Sequence, residues 1–205
     1  MKTKALLRNK AFIIFYLVII FVAPPVFIGL EIIPKTPITN LITLIGCTLG
    51  CLAIMTAEGW KWEDYDTKPK EGADMYYLTF TLYGIIFVII MKEILSLKVN
   101  LEVLNRPYFL ALFMPICFMQ VLTYNVFLIK KLMIFTENRA TIVFIRTLIF
   151  SGMHLIFSFE FFIICLFGGV GFTYVYLAHP NIKRMWFSHS TLNFTVALLG
   201  AFSPQ

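Results

Sequence analysis

Residues 11–30 run for twenty positions without a charged side chain, and stretches of the same kind recur to the end of the chain. No other feature constrains the fold as much. A helix needs about 20 apolar residues to cross the hydrocarbon core of a bilayer. In lipid every backbone N–H and C=O must be satisfied internally, which leaves only helices and closed barrels. Barrel strands are about 9–11 residues long and alternate in character. The run "GIIFVIIM" (84–91) is continuously apolar, so the segments read as helices. The sequence predicts seven of them: 11–30, broken by Pro24-Pro25, then 41–57, 76–91, 108–129, 141–159, 161–178 and 186–202. The predicted fold class is all-α, a polytopic transmembrane helix bundle of about seven spans.

Composition agrees. Hydrophobic residues make up 60% of the chain and mean hydropathy is +0.84, whereas soluble domains are about 45–50% apolar. The net charge of +6 does not point to nucleic acid, because the basic residues sit at the ends of apolar segments and form no stripe with aromatics. They read as topology signals, with the lipid bilayer as the partner. An N-terminus on the cytoplasmic side puts twelve Lys and Arg in cytoplasmic segments and four outside, with Arg146 inside a span. The basic, then apolar, start resembles a signal peptide, but its apolar run is long and no small-x-small site follows. It is expected to stay as the first span. The polar stretch 58–74 is expected to be a cytoplasmic loop lying on the surface through Trp60, Trp62 and Tyr65. Cys47, Cys51, Cys117 and Cys165 all fall in spans and read as small packing residues, so neither a metal nor a cofactor is expected. Gly46-xxx-Gly50 reads as a face for close helix approach.

Ionisable residues within a span are expensive and merit individual attention. Phe150 and His154 are four residues apart, as are His189 and Asn193, so each pair shares a helix face. Both imidazoles and the Asn193 carboxamide are expected to point at one small volume, where they could donate to an oxyanion or pass a proton. The alternative is structural, with each histidine bonding only a backbone carbonyl or a neighbouring helix. His179 begins the loop "HPNIKR" and reads as an interfacial residue. Arg146 lies two turns before His154, and three readings stay open for it: binding a substrate carboxylate, pairing with Glu137, or snorkelling to the cytoplasmic interface. Gln120, Thr123 and Asn125 form a polar patch in the fourth span.

These residues carry a family resemblance. "FSGMH" (150–154) and "HSTLN" (189–193) match two motifs, F-x-x-x-H and H-x-x-x-N, of the CPBP group of CAAX prenyl endopeptidases and bacteriocin-processing or self-immunity proteins. Residues 168–194 also resemble that family's approach to its last motif: a glycine-containing helix, a short polar turn, then the histidine helix. The resemblance covers about residues 105–202. It implies two regions: residues 1–104, with three spans and the cytoplasmic loop, and 105–205, a CPBP-like four-helix core. It further implies an intramembrane endopeptidase in a bacterial inner or plasma membrane, acting on a peptide or membrane protein without a cofactor. His154, His189 and Asn193 would be catalytic, and Gln120, Tyr124, Asn125, Arg146 and Phe150 would line the site.

The chain departs from the family at the first motif, E-E-x-x-x-R. Its expected place, residues 118–131, holds no glutamate, and either Gln120 or Tyr124-Asn125 stands there instead. The family's glutamate activates water by accepting a proton, which a carboxamide or phenol does not do at neutral pH. Glu93, Glu137 and Glu160 are the carboxylates that would have to fold back to replace it. Two further readings therefore stand beside the peptidase: an inactive scaffold that binds a membrane partner or peptide, and a small transporter. The transporter ranks last because the chain shows no inverted repeat or paired broken helices.

Overall fold

The computed structural model describes residues 9–200 apart from 69, 106 and 156, and the side chains of 37 and 108–110 lie outside the described set. The N-terminal basic residues Lys2, Lys4 and Arg8, loop residue Arg106, and residues 201–202 of the predicted last span are therefore outside it too. The described chain is all-helical, with no strand. Seven helices stand where the sequence predicts spans: α1 (Lys10–Gly29), α2 (Pro37–Glu58), α3 (Ala73–Ile94), α4 (residues 107–132), α5 (Arg139–His154), α6 (Phe159–Ala178) and α7 (Ile182–Leu198).

Five of them, α1, α2, α3, α4 and α6, are long and apolar enough to cross a membrane, as expected of an integral membrane protein. The other two, α5 and α7, have 16 and 17 residues. At 1.5 Å per residue they rise about 24–26 Å, short of a core about 30 Å thick. The fifth segment was expected to run to residue 159, but its helix ends at His154. Ser158 then accepts from the N–H of Phe161 at 3.0 Å and starts α6.

Pro24-Pro25 does not break the first helix. A proline removes its own N–H and clashes with the carbonyl four residues earlier. Here Val18–Val22 form a π turn just ahead of the pair, and the helix continues to Gly29. The Ile20 carbonyl, which residue 24 would ordinarily satisfy, accepts from the Cys47 thiol of α2 at 3.0 Å.

Helix α4 is central. Val121 through Ile129 are buried on every side, the pattern of a core helix, and Val121–Leu128 are wound as a π-helix. Close approach between helices uses different glycines from those expected. Gly46 has nothing within 4 Å of the position a Cβ would take, and Gly50 meets only the end of Ile20 at 3.5 Å. A Cβ on Gly84 would fall 2.7 Å from Leu192, where α3 meets α7, and one on Gly171 would fall 2.8 Å from Phe80, where α6 meets α3.

The 58–74 loop turns inward rather than lying flat through three aromatics. Trp60 packs edge-on to Tyr65 at 5.9 Å and against Phe127 at 6.4 Å, and its Nε1–H donates to Glu58 at 2.8 Å. Only Trp62 stays out, 66% exposed. Asp66, at φ +53°, ties the loop to three helices. Its carboxylate accepts from Lys130 Nζ at 3.0 Å and from the Tyr176 hydroxyl at 2.5 Å, and its carbonyl accepts from the Ile182 N–H at 3.0 Å. Beside it, Lys131 pairs with Glu58 and is buried.

Candidate functional site

The polar residues of α4, α5, α6 and α7 gather in two clusters, joined by one aromatic ring. The first lies between α4 and α7. Gln120 Oε1 is 2.9 Å from His189 Nε2 and 3.3 Å from Asn193 Nδ2, and those two nitrogens are 3.0 Å apart. The Gln120 oxygen can only accept, so Nε2–H and the Asn193 amide both donate to it and their own 3.0 Å approach is a contact between donors, an assignment drawn from the network itself. The His189 proton is then committed to a carboxamide, and Nδ1, which has no partner, carries the lone pair. Asn193 Nδ2 also lies 3.8 Å from the Cys117 thiol. Cys117 is one turn before Gln120 on the same face of α4, a spacing visible in the sequence but not used there.

The second cluster lies between α4, α5 and α6. Arg146 is 0% exposed. Its Nη2 donates to Asn125 Oδ1 at 2.6 Å and its Nη1 to the Gly169 carbonyl at 3.4 Å, an oxygen that also accepts from Thr173 at 2.6 Å. Two of the three expectations for this arginine fail. It does not snorkel, because the guanidinium is wrapped by α4 and α6. It does not pair with Glu137, which is exposed in the α4–α5 connection. Thr147, Gly169 and Thr173 were not singled out from the sequence. Ordinary small residues on apolar helices carry no signal until the arginine is placed.

Phe150 stands between the clusters. Its ring lies 4.4 Å from the Arg146 guanidinium carbon and meets Tyr124 edge-on at 5.4 Å, His189 at 5.9 Å and His154 at 4.6 Å. Both histidines therefore border one ring. They flank the same ring without a hydrogen bond between them. His154 sits at the end of α5, 5% exposed, with its Nδ1 2.6 Å from the Phe150 carbonyl. That carbonyl can only accept, so Nδ1 is the donor and Nε2 holds the free lone pair. Tyr124 contributes ring packing, with Phe21 on its other side at 5.3 Å.

All eleven Asp and Glu residues are among the described residues. None makes a hydrogen bond or ion pair with His154, His189 or Arg146. Glu93 pairs with Lys92 at 2.7 Å, and Glu160 lies in the first turn of α6. The arrangement can present hydrogen-bond donors to a bound carbonyl or carboxylate. It offers no carboxylate to take a proton from water.

No family model matches the chain, and no curated protein and no solved structure matches it either.

Proposed function

We propose that this chain is a CPBP-type membrane protein that has lost hydrolysis and holds a partner's membrane segment or a peptide against its α4–α7 core. The observation that carries the reading is Gln120. Its carboxamide oxygen occupies the hydrogen-bonding position facing His189 and Asn193, where a peptidase of this type needs a group that can take up a proton. The donors suited to a bound carbonyl are kept while the base is gone, which favours binding without turnover. In this reading α5 and α7 also cross the bilayer, giving seven crossings, and the N-terminus lies on the cytoplasmic side of a bacterial inner membrane. The excess of Lys and Arg in the corresponding loops supports that orientation.

A lateral cleft of about 670 Å³ between α1 and α5 is the proposed approach for the partner. Its walls include Phe21, Pro25, Leu148 and Ile149, and it reaches Gly152 and Met153, next to His154. A photo-crosslinking residue at position 153 tests the reading in membranes of the producing cell. The expected result is one dominant adduct with a membrane peptide, lost when Leu148 is changed to Trp to fill the cleft. Crosslinks to lipid alone, with or without Leu148→Trp, would overturn it.

A further inference from the structure

Arg146 is a buried cation that packs on the Phe150 ring and has no anionic partner in the protein. An ion buried away from water is costly unless it is paired. Here the guanidinium is wholly buried in the bundle, and both of its acceptors are neutral carbonyl oxygens. No Asp or Glu reaches it.

Three buried polar atoms here have no partner: Nε of Arg146 itself, Asn125 Nδ2 and Thr147 Oγ1. Unpaired buried groups are rare and each needs a reason. The three have a common chemistry. Arg146 Nε–H and the Asn125 amide can only donate, and the Thr147 hydroxyl can donate. Asn125 Nδ2 is the other end of the amide whose oxygen holds Nη2, and Thr147 follows Arg146 in the chain. Over Gly169 the position of an absent Cβ is 3.4 Å from both Arg146 Nη1 and Thr147 Oγ1, so the two polar groups border the same point. A cation with one unpaired N–H of its own and two unpaired donors on neighbouring side chains matches a ligand that is negative and rich in acceptors.

We propose that Arg146, Asn125 and Thr147 form a binding site for a small monovalent anion, either an inorganic ion or the carboxylate of a bound peptide. Arg146 supplies the charge, Asn125 and Thr147 supply the remaining donors, and Gly169 keeps the α6 side free of a side chain. The site is independent of hydrolysis and stands whether or not His189 retains a catalytic role.

Thermal unfolding of the purified chain in neutral detergent, followed by tryptophan fluorescence, tests it. Sodium isethionate, a bulky sulfonate, would be replaced stepwise by chloride, nitrate, formate or acetate at constant ionic strength. A ligand at 100 times its Kd should raise Tm by roughly 5 °C or more for a chain of this size. Formate and acetate acting without chloride would identify a carboxylate site, and chloride acting as well an inorganic one. The decisive variant is Asn125→Asp, which supplies a carboxylate at the position now 2.6 Å from Nη2. It is expected to raise Tm in isethionate and to abolish the response to small anions, while Thr147→Val keeps the response and weakens it. Identical Tm values of the unaltered chain in all salts would overturn the proposal. So would an Asn125→Asp variant that folds and responds as the unaltered chain does.

Discussion

The Asp66–Tyr176 contact offers a quantitative test of how the 58–74 loop is held. The Tyr176 hydroxyl donates to Asp66 Oδ2 at 2.5 Å, and Tyr176 is 2% exposed. A hydrogen bond to a charged group is worth about 1.5–3 kcal/mol, against about 1 kcal/mol for a neutral one. The Lys130 pair on the other oxygen is partly open to solvent and adds at most about 1 kcal/mol. Asp66→Asn keeps the left-handed backbone, which asparagine tolerates, and keeps a neutral acceptor for the tyrosine. It should cost about 1–2 kcal/mol. Tyr176→Phe should cost a similar amount. Once the hydroxyl is gone the carboxylate loses its charge-assisted partner, so the two changes should not add. The double variant is expected to show a coupling of about 1 kcal/mol. The assay is unfolding in mixed micelles, read from tryptophan fluorescence, because Trp60 packs on Tyr65 within the same loop. Coupling no larger than the roughly 0.3–0.5 kcal/mol scatter of independent sites would refute the reasoning.

Other expectations follow from single contacts. Cys47→Ala removes the donor to the Ile20 carbonyl beside the prolines and should destabilise by about 1–3 kcal/mol in the same unfolding assay, with Cys47→Ser restoring most of it. Gly171→Ala drives a Cβ to 2.8 Å from the Phe80 ring and should cost about 1–3 kcal/mol, whereas Gly46→Ala meets nothing and should be neutral or stabilising by up to about 1 kcal/mol. Phe150→Leu keeps apolar bulk but removes the ring face under Arg146, and a loss of about 2 kcal/mol is expected from a desolvated cation–π contact.

Much of the helix layout was legible because lipid leaves the backbone few options. Apolar run length alone located all seven helices, and Asn9, Thr36, Asn138, Ser158 and Asn181 cap five of them in the ordinary way. What misled was local chemistry whose answer lies on another helix. Pro24-Pro25 signals a break, but the Cys47 thiol that satisfies the freed carbonyl is twenty-seven residues from Ile20. Gly46-xxx-Gly50 has the right spacing for close packing, yet spacing does not say which face meets a helix and which meets lipid. At the site, the meeting of the His189 and Asn193 side chains one turn apart followed from helical geometry. The partition of the polar residues did not. Gln120 and Asn125 are five residues apart on α4, and that offset directs one to His189 and the other to Arg146. The sequence left both Gln120 and Tyr124-Asn125 open at the place where the family resemblance implies a glutamate, and the contact with His189 and Asn193 belongs to Gln120.

The central claim is that Gln120, in place of a carboxylate, leaves the core able to bind and unable to hydrolyse. The most direct measurement is peptide cleavage by the purified chain, the His189→Ala variant and the Gln120→Glu variant. All three would be reconstituted in lipid with a mixture of membrane peptides and read by mass spectrometry. The account predicts no product from the unaltered chain beyond that of His189→Ala. Product formed by the unaltered chain and lost in folded His189→Ala would contradict it.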